Sequence, residues 1–137
     1  MFDLTISSPE KIVYQGKAEI LNVYTVNGQV GILKNHAPFV DIVIASELNF
    51  VDEKGERKKL VVSGGWILVW PKEVTVFVNS SEYTFAIDVD RAKLDKEKAE
   101  RELASANKDD VVEIARAKAK IEKATVRIMA GIKEGNK

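Results

Sequence analysis

The alternation of apolar and polar positions changes its period once along this chain, close to residue 88. Before that point the sequence reads as short β-rich runs broken by turn formers: FDLTI, AEILNVYTV, ELNFV, KLVVS, WILVW, EVTVFV and YTFAI. These runs are rich in Val, Ile, Thr, Tyr, Phe and Trp, and Ser-Pro, Asn-Gly, Lys-Gly, Gly-Gly and Trp-Pro pairs punctuate them. Such spacing predicts an antiparallel β-sandwich or flattened barrel. The plainest hairpin is VDEKGERKKLVV, where Lys54-Gly55 separates two strand-like runs at a position suited to a tight turn.

Beyond Asp90 there is no proline, and no glycine until Gly131. RAKLDKEKAERELASA and VVEIARAKAKIEKATVRIMA consist largely of strong helix formers. A polar break at 107–110 divides them and supplies an Asp to cap the second helix. Ile114, Ala117, Ile121, Ala124 and Ile128 recur at alternating three- and four-residue steps, and Ala92, Ala99, Leu103 and Ala106 form a thinner matching stripe. An alanine seam lets two helices approach closely but removes little apolar area from water. At about 25 cal/mol per Å² such a hairpin is weakly held and able to open. The fold class is therefore mainly β plus α, with a β domain over 1–87 and a two-helix domain over 88–137.

At 137 residues the chain is long enough for one domain with a real core, and it has no cysteine for a disulfide framework, a thiolate zinc site or a thiol nucleophile. The N-terminus lacks a basic segment followed by an apolar one, and no apolar run approaches the roughly 18 residues that cross a bilayer. The expectation is a soluble, unexported chain. The zero net charge conceals an asymmetry: residues 1–90 hold 8 Lys+Arg against 12 Asp+Glu, and residues 91–137 hold 13 against 9. Opposite charges point to different partners for the two segments. Because the basic excess is interleaved with acids, an acidic protein surface suits it better than nucleic acid.

Catalytic chemistry finds little footing. His36 is the only histidine, and its Asn-His-Ala-Pro setting offers no nucleophile elbow. Gly28-Gln-Val-Gly31 and Ser63-Gly64-Gly65 lack phosphate-loop spacing, and no carboxylate pair stands apart from the surface acids. The expectation is a non-enzyme without a metal site.

The residues that do stand out are NGQVGILKNHAPF from Asn27, Ser63-Gly64-Gly65 before a β run, Pro9-Glu10, Tyr14-Gln-Gly16, and Ile87-Asp88-Val-Asp-Arg91-Ala92 where the helices begin. Together these resemble the epsilon subunit family of the F-type ATP synthase over essentially the whole chain. The resemblance implies a flattened sandwich of about ten strands carrying a C-terminal helical hairpin. It implies a central-stalk subunit, peripheral at the cytoplasmic face of the inner membrane, that binds the gamma subunit and the membrane carrier ring and helps couple ion flow to ATP synthesis. Ser8, Gln29, Gly31, His36 and Pro38 are then the rotor-interface residues. Gln29 replaces an acid found in other members, which removes a charge from that turn. The hairpin, extended toward the catalytic alpha and beta subunits, would inhibit ATP hydrolysis through a basic face of Arg116, Lys118, Lys120 and Lys123.

The resemblance also implies a regulatory ATP site in some bacterial members, although no cofactor is required. Ile87, Asp88, Arg91 and Ala92 match its motif, Glu82 its acid, and Arg127 its last basic position. Lys98 and Lys123 stand where tight binders carry arginine, and a lysine keeps the charge without the planar fork. Two other classes compete: a free-standing β-sandwich binding module and a coiled-coil adaptor using the helical seam. Neither accounts for the run from Gly31 to Pro38.

Overall fold

A computed structural model describes residues 1–136 and divides the chain into two compact units, residues 1–83 and the segment from Thr84 onward. Nine strands are described in the first unit: β1 (Phe2–Ser7), β2 (Ile12–Thr25), β3 (Gly28–Ile32), β4 (Phe39–Val43), β5 (Ser46–Asp52), β6 (Arg57–Val62), β7 (Gly65–Val69), β8 (Glu73–Val78) and β9 (Ser81–Tyr83). Their order is β1-β8-β7-β4-β2-β5-β6-β9, with β3 beside β2 and β1 also paired to β2.

The 14-residue β2 explains the closure. It is long enough to pair with β1 through its first half and with β3, β4 and β5 through its second, so one strand serves both faces. Bulges at Ile6/Ser7 and Ala18/Ile20 supply the bends this requires. One pairing departs from the antiparallel expectation. β1 runs parallel to β8, from Asp3 opposite Glu73 to Ser7 opposite Phe77. A distant strand needs no hairpin turn to pair, so nothing in its local sequence fixes its direction.

Alternation along the strands fills the core with Phe2, Leu4, Ile6, Leu21, Val23, Ile32, Leu48, Phe50, Leu60, Ile67, Val74 and Val76. The expected hairpin is β5–β6, with Gly55 at φ +80° and the buried Asp52 carboxylate accepting the N–H groups of Lys54 and Glu56. Two strands, β3 and β4, and the first half of β2 stand where the sequence suggested none. YTFAI, by contrast, is not a strand. Only Tyr83 belongs to β9, and Thr84–Ala86 form a 3₁₀ turn. Thr84 and Ile87 are buried while Phe85 and Ala86 are exposed, a three-residue spacing that suits this turn and defeats alternation.

In the second unit α1 (Val89–Ser105) and α2 (Val111–Glu134) form a hairpin. Asp88 caps α1 by accepting the Arg91 N–H, and Asp110 caps α2 by accepting that of Glu113. Ala92 and Ala99 of α1 and Ala117 and Ala124 of α2 are buried along the seam, with Leu103, Ile114, Ile121 and Ile128 half-buried.

Candidate functional site

Two surfaces hold the residues singled out by sequence, one in each unit. In the first unit the rotor-interface residues do not form one cluster. Ser8 lies in the β1–β2 turn, its N–H bonded to the Lys11 carbonyl, beside a recess of about 310 Å³ shared with Ser7, Pro9, Gly65, Trp66, Phe77, Val78 and Asn79. Gln29 and Gly31 are exposed on β3, opposite Tyr24 and Asn22. His36 and Pro38 occupy the loop leading into β4, toward the opposite end of the β4–β7 pair. That loop is held by Asn35, at φ 67°, whose N–H bonds the Pro71 carbonyl, and by the His36 ring packed on Phe39 at 5.2 Å. The His36 Nδ1 lies 2.8 Å from the Ala37 carbonyl. Half-buried against Phe39, the imidazole shapes the loop.

What joins the two ends is a surface the sequence reading missed. Ile42, Trp66 and Phe77 are register partners across β4, β7 and β8, continuing to Ser7 of β1, so they stand on one side of the sheet. The next outward row is Val40, Leu68, Thr75 and Thr5. Trp66 is 53% exposed, Phe77 49% and Val40 62%, and Trp70 is exposed beyond them. An apolar sheet face thus stretches between the Ser8 turn and the His36–Pro38 loop. The signal was present in GWILVW and VTVFV, where both faces of an antiparallel strand are apolar although only one is needed for the core. Nearby, the Asn27 side-chain amide and the Ile42 N–H donate to the Asp41 carboxylate and hold its pKa below the usual carboxylate range. This bond ties the β2–β3 turn to β4.

In the second unit α1 and α2 enclose a cleft of about 250 Å³ lined by Asp95, Lys98, Ala99, Glu102, Lys120, Lys123, Ala124 and Arg127. The alanines form its floor. Arg127 pairs with Asp95 at 3.3 Å and Lys120 with Glu102 at 3.2 Å, while Lys98 and Lys123 enter no ion pair among the described residues. Four cations against two acids leave the cleft electropositive. Three of the residues proposed for nucleotide, Lys98, Lys123 and Arg127, therefore meet in one place. Arg91 falls one helical turn before Asp95 on the same side of α1. Asp88 has one oxygen engaged as the cap. Ile87 and Ala92 are buried, so they pack the hairpin and are not open to a ligand. Glu82 lies on β9, in the other unit.

The basic face of α2 is smaller than its sequence suggested. At about 100° per residue, Arg116, Lys120 and Lys123 fall within roughly 60° of one another, and Lys118 points to the far side. Among the described residues no group of acids and histidine is arranged to hold a metal ion, and no helix is long and apolar enough to cross a membrane.

Residues 1–84 match the family model described as the beta-sandwich domain of the ATP synthase delta/epsilon chain, and residues 86–130 match its long alpha-helix domain. The ATP synthase epsilon chain of Clostridium novyi is 36% identical over 127 residues, covering 93% of this chain and 95% of that protein. The epsilon chain of Natranaerobius thermophilus is 32% identical over 98% of this chain and 95% of its own length. Among solved structures, a chain of the Euglena gracilis mitochondrial ATP synthase aligns with a TM-score of 0.80 at 19% identity, over 94% of this chain and 80% of that one. A chain of the Tetrahymena thermophila mitochondrial enzyme aligns at 0.60 and 13%, over 95% and 96%. At these identities the structural likeness speaks for the fold.

Proposed function

The chain belongs to the delta/epsilon-chain family of the ATP synthase, and from that membership we propose how its two surfaces serve the rotor. It is a non-catalytic, rotor-associated subunit with a coupling and inhibitory role, and its partners are rotor and ring components. The finer reading is that the gamma subunit docks on the apolar face of β4, β7 and β8, while the Gln29–Gly31 strand and the His36–Pro38 loop meet gamma and the carrier ring. The observation that carries it is the row Ile42–Trp66–Phe77, framed by Ser8 at one end and Pro38 toward the other. A monomer has no use for such a face, whereas a partner removes it from water at about 25 cal/mol per Å². The complex would lie peripherally at the cytoplasmic side of the membrane.

The hairpin acts as the inhibitory element. Its alanine seam is weakly held, and the exposed Arg116, Lys120 and Lys123 on one face of α2 would pair with an acidic surface of the catalytic alpha and beta subunits. The test is ATP hydrolysis by the complex assembled with the full chain or with a truncation ending at Asp90. Release of activity by truncation, strongest at low ATP, is the expected result. Equal hydrolysis with gamma still bound would refute the inhibitory role.

ATP fits the cleft as a regulatory ligand. Lys98 and Lys123, in no ion pair among the described residues, can meet phosphate oxygens, and Arg127 would exchange Asp95 for phosphate acceptors. Binding would bridge α1 and α2 and so favour the closed hairpin. Titration of the isolated full chain with ATP should protect α1 and α2 amides from exchange. No change up to millimolar ATP would refute it.

A further inference from the structure

The C-terminal end of α2 is tied down more heavily than a helix end requires. Gly135, at φ 88°, donates its N–H back to the last turn, and the Asn136 N–H reaches the Gly131 carbonyl at 2.9 Å, which is sufficient to close the helix. Beyond this, the Asn136 side-chain amide donates to the carbonyls of Thr84 at 2.8 Å and Ile87 at 3.0 Å. The buried Thr84 hydroxyl donates to Glu134 Oε2 at 2.9 Å. These bonds join residues some 50 positions apart. At the same place Gly131 sits against Ile87 and Val89, where a Cβ would lie 2.6 Å from the Val89 Cγ2. Among the described residues of this unit, Ile87 and Val89 are also the largest buried apolar side chains, the other buried apolar ones being alanines.

We propose that Thr84, Glu134, Asn136 and Gly131 form a latch that holds the hairpin closed from the end farthest from its connecting turn. The physical argument is one of position. Helices that part about the 106–110 turn must separate most at their other ends, where α2 meets the segment entering α1. Along the seam the buried side chains are alanines, and what else resists that movement is half-buried Leu103, Ile114, Ile121 and Ile128 and the Lys120–Glu102 and Arg127–Asp95 pairs, which lie partly in solvent. At the latch, side-chain hydrogen bonds and close backbone packing resist it together, and both are lost in one step. The latch therefore sets the population of open hairpin, and bound nucleotide in the cleft adds to a closure that the latch already provides. This deepens the regulatory reading of the hairpin and rests on it only for its consequence in the assembled complex.

The experiment is hydrogen exchange on the full chain carrying Asn136→Ala alone or with Thr84→Val, against Met129→Ala, an exposed position on the same helix, as control. With three side-chain hydrogen bonds lost, the double variant should speed exchange on the order of a hundred-fold in residues 114–128 and 89–99, and the control should not. Faster exchange confined to 131–136 would mean simple end fraying and would overturn the latch, as would no change. The same variants assembled into the complex should hydrolyse ATP more slowly than wild type, because a freed hairpin extends more often. Accelerated exchange with unchanged hydrolysis would keep the latch and remove the inhibitory role.

Discussion

Single side chains and single missing side chains decide where the strands of this protein can touch. Gly65 opens β7 opposite Val78, and a Cβ there would fall 1.8 Å from the Phe77 carbonyl oxygen. Backbone atoms cannot yield as a flexible side chain does, so Gly65→Ala should lower stability by about 3 kcal/mol or more, read from the midpoint of chemical denaturation. It should also disturb Trp66 and Phe77. Asp41 works through charge. Its folded pKa is depressed by Asn27 and the Ile42 N–H, so its contribution is present above the ordinary carboxylate range and is lost as pH falls through the depressed folded value. Acidification should therefore loosen the β2–β3 turn, visible in the Asn27 side-chain amide resonances, and Asp41→Ala should abolish that response.

Elements show how local propensity and tertiary use diverge. The two helices form where caps and composition direct, yet only one side of α2 joins the cleft. Lys98→Arg with Lys123→Arg should tighten ATP several-fold, because each guanidinium offers a planar pair of donors where an ammonium offers a point charge. Calorimetric titration of the full chain measures this directly, and unchanged affinity would separate the cleft from nucleotide. Replacing Arg116, Lys120 and Lys123 with Ala should relieve inhibition as much as a set that includes Lys118. A further gain on adding Lys118→Ala would mean that inhibition depends on overall charge and not on one face. Among the strands, β2 carries the whole sandwich because its length lets it pair on both sides.

At the scale of the molecule, the apolar face of β4, β7 and β8 is the surface whose loss should matter most for assembly and least for folding. Trp66→Glu puts a charge on a half-exposed site outside the core, so the thermal midpoint should move by only a few degrees while gamma binding falls by an order of magnitude or more. Retained binding measured by surface plasmon resonance would move the interface elsewhere. The sequence by itself determined the division into β and helical parts, the Gly55 hairpin, the Asp110 cap and the alanine seam, since each depends on neighbours within a few residues. It also carried the family resemblance, through the run from Asn27 to Phe39. Only the tertiary structure decided that β1 lies parallel to β8, that Lys98, Lys123 and Arg127 share one cleft, that Ile42, Trp66 and Phe77 align, and that Asn136 closes on Thr84. Those pairings join residues far apart in the chain, and their register comes from packing of the whole, which no local period encodes.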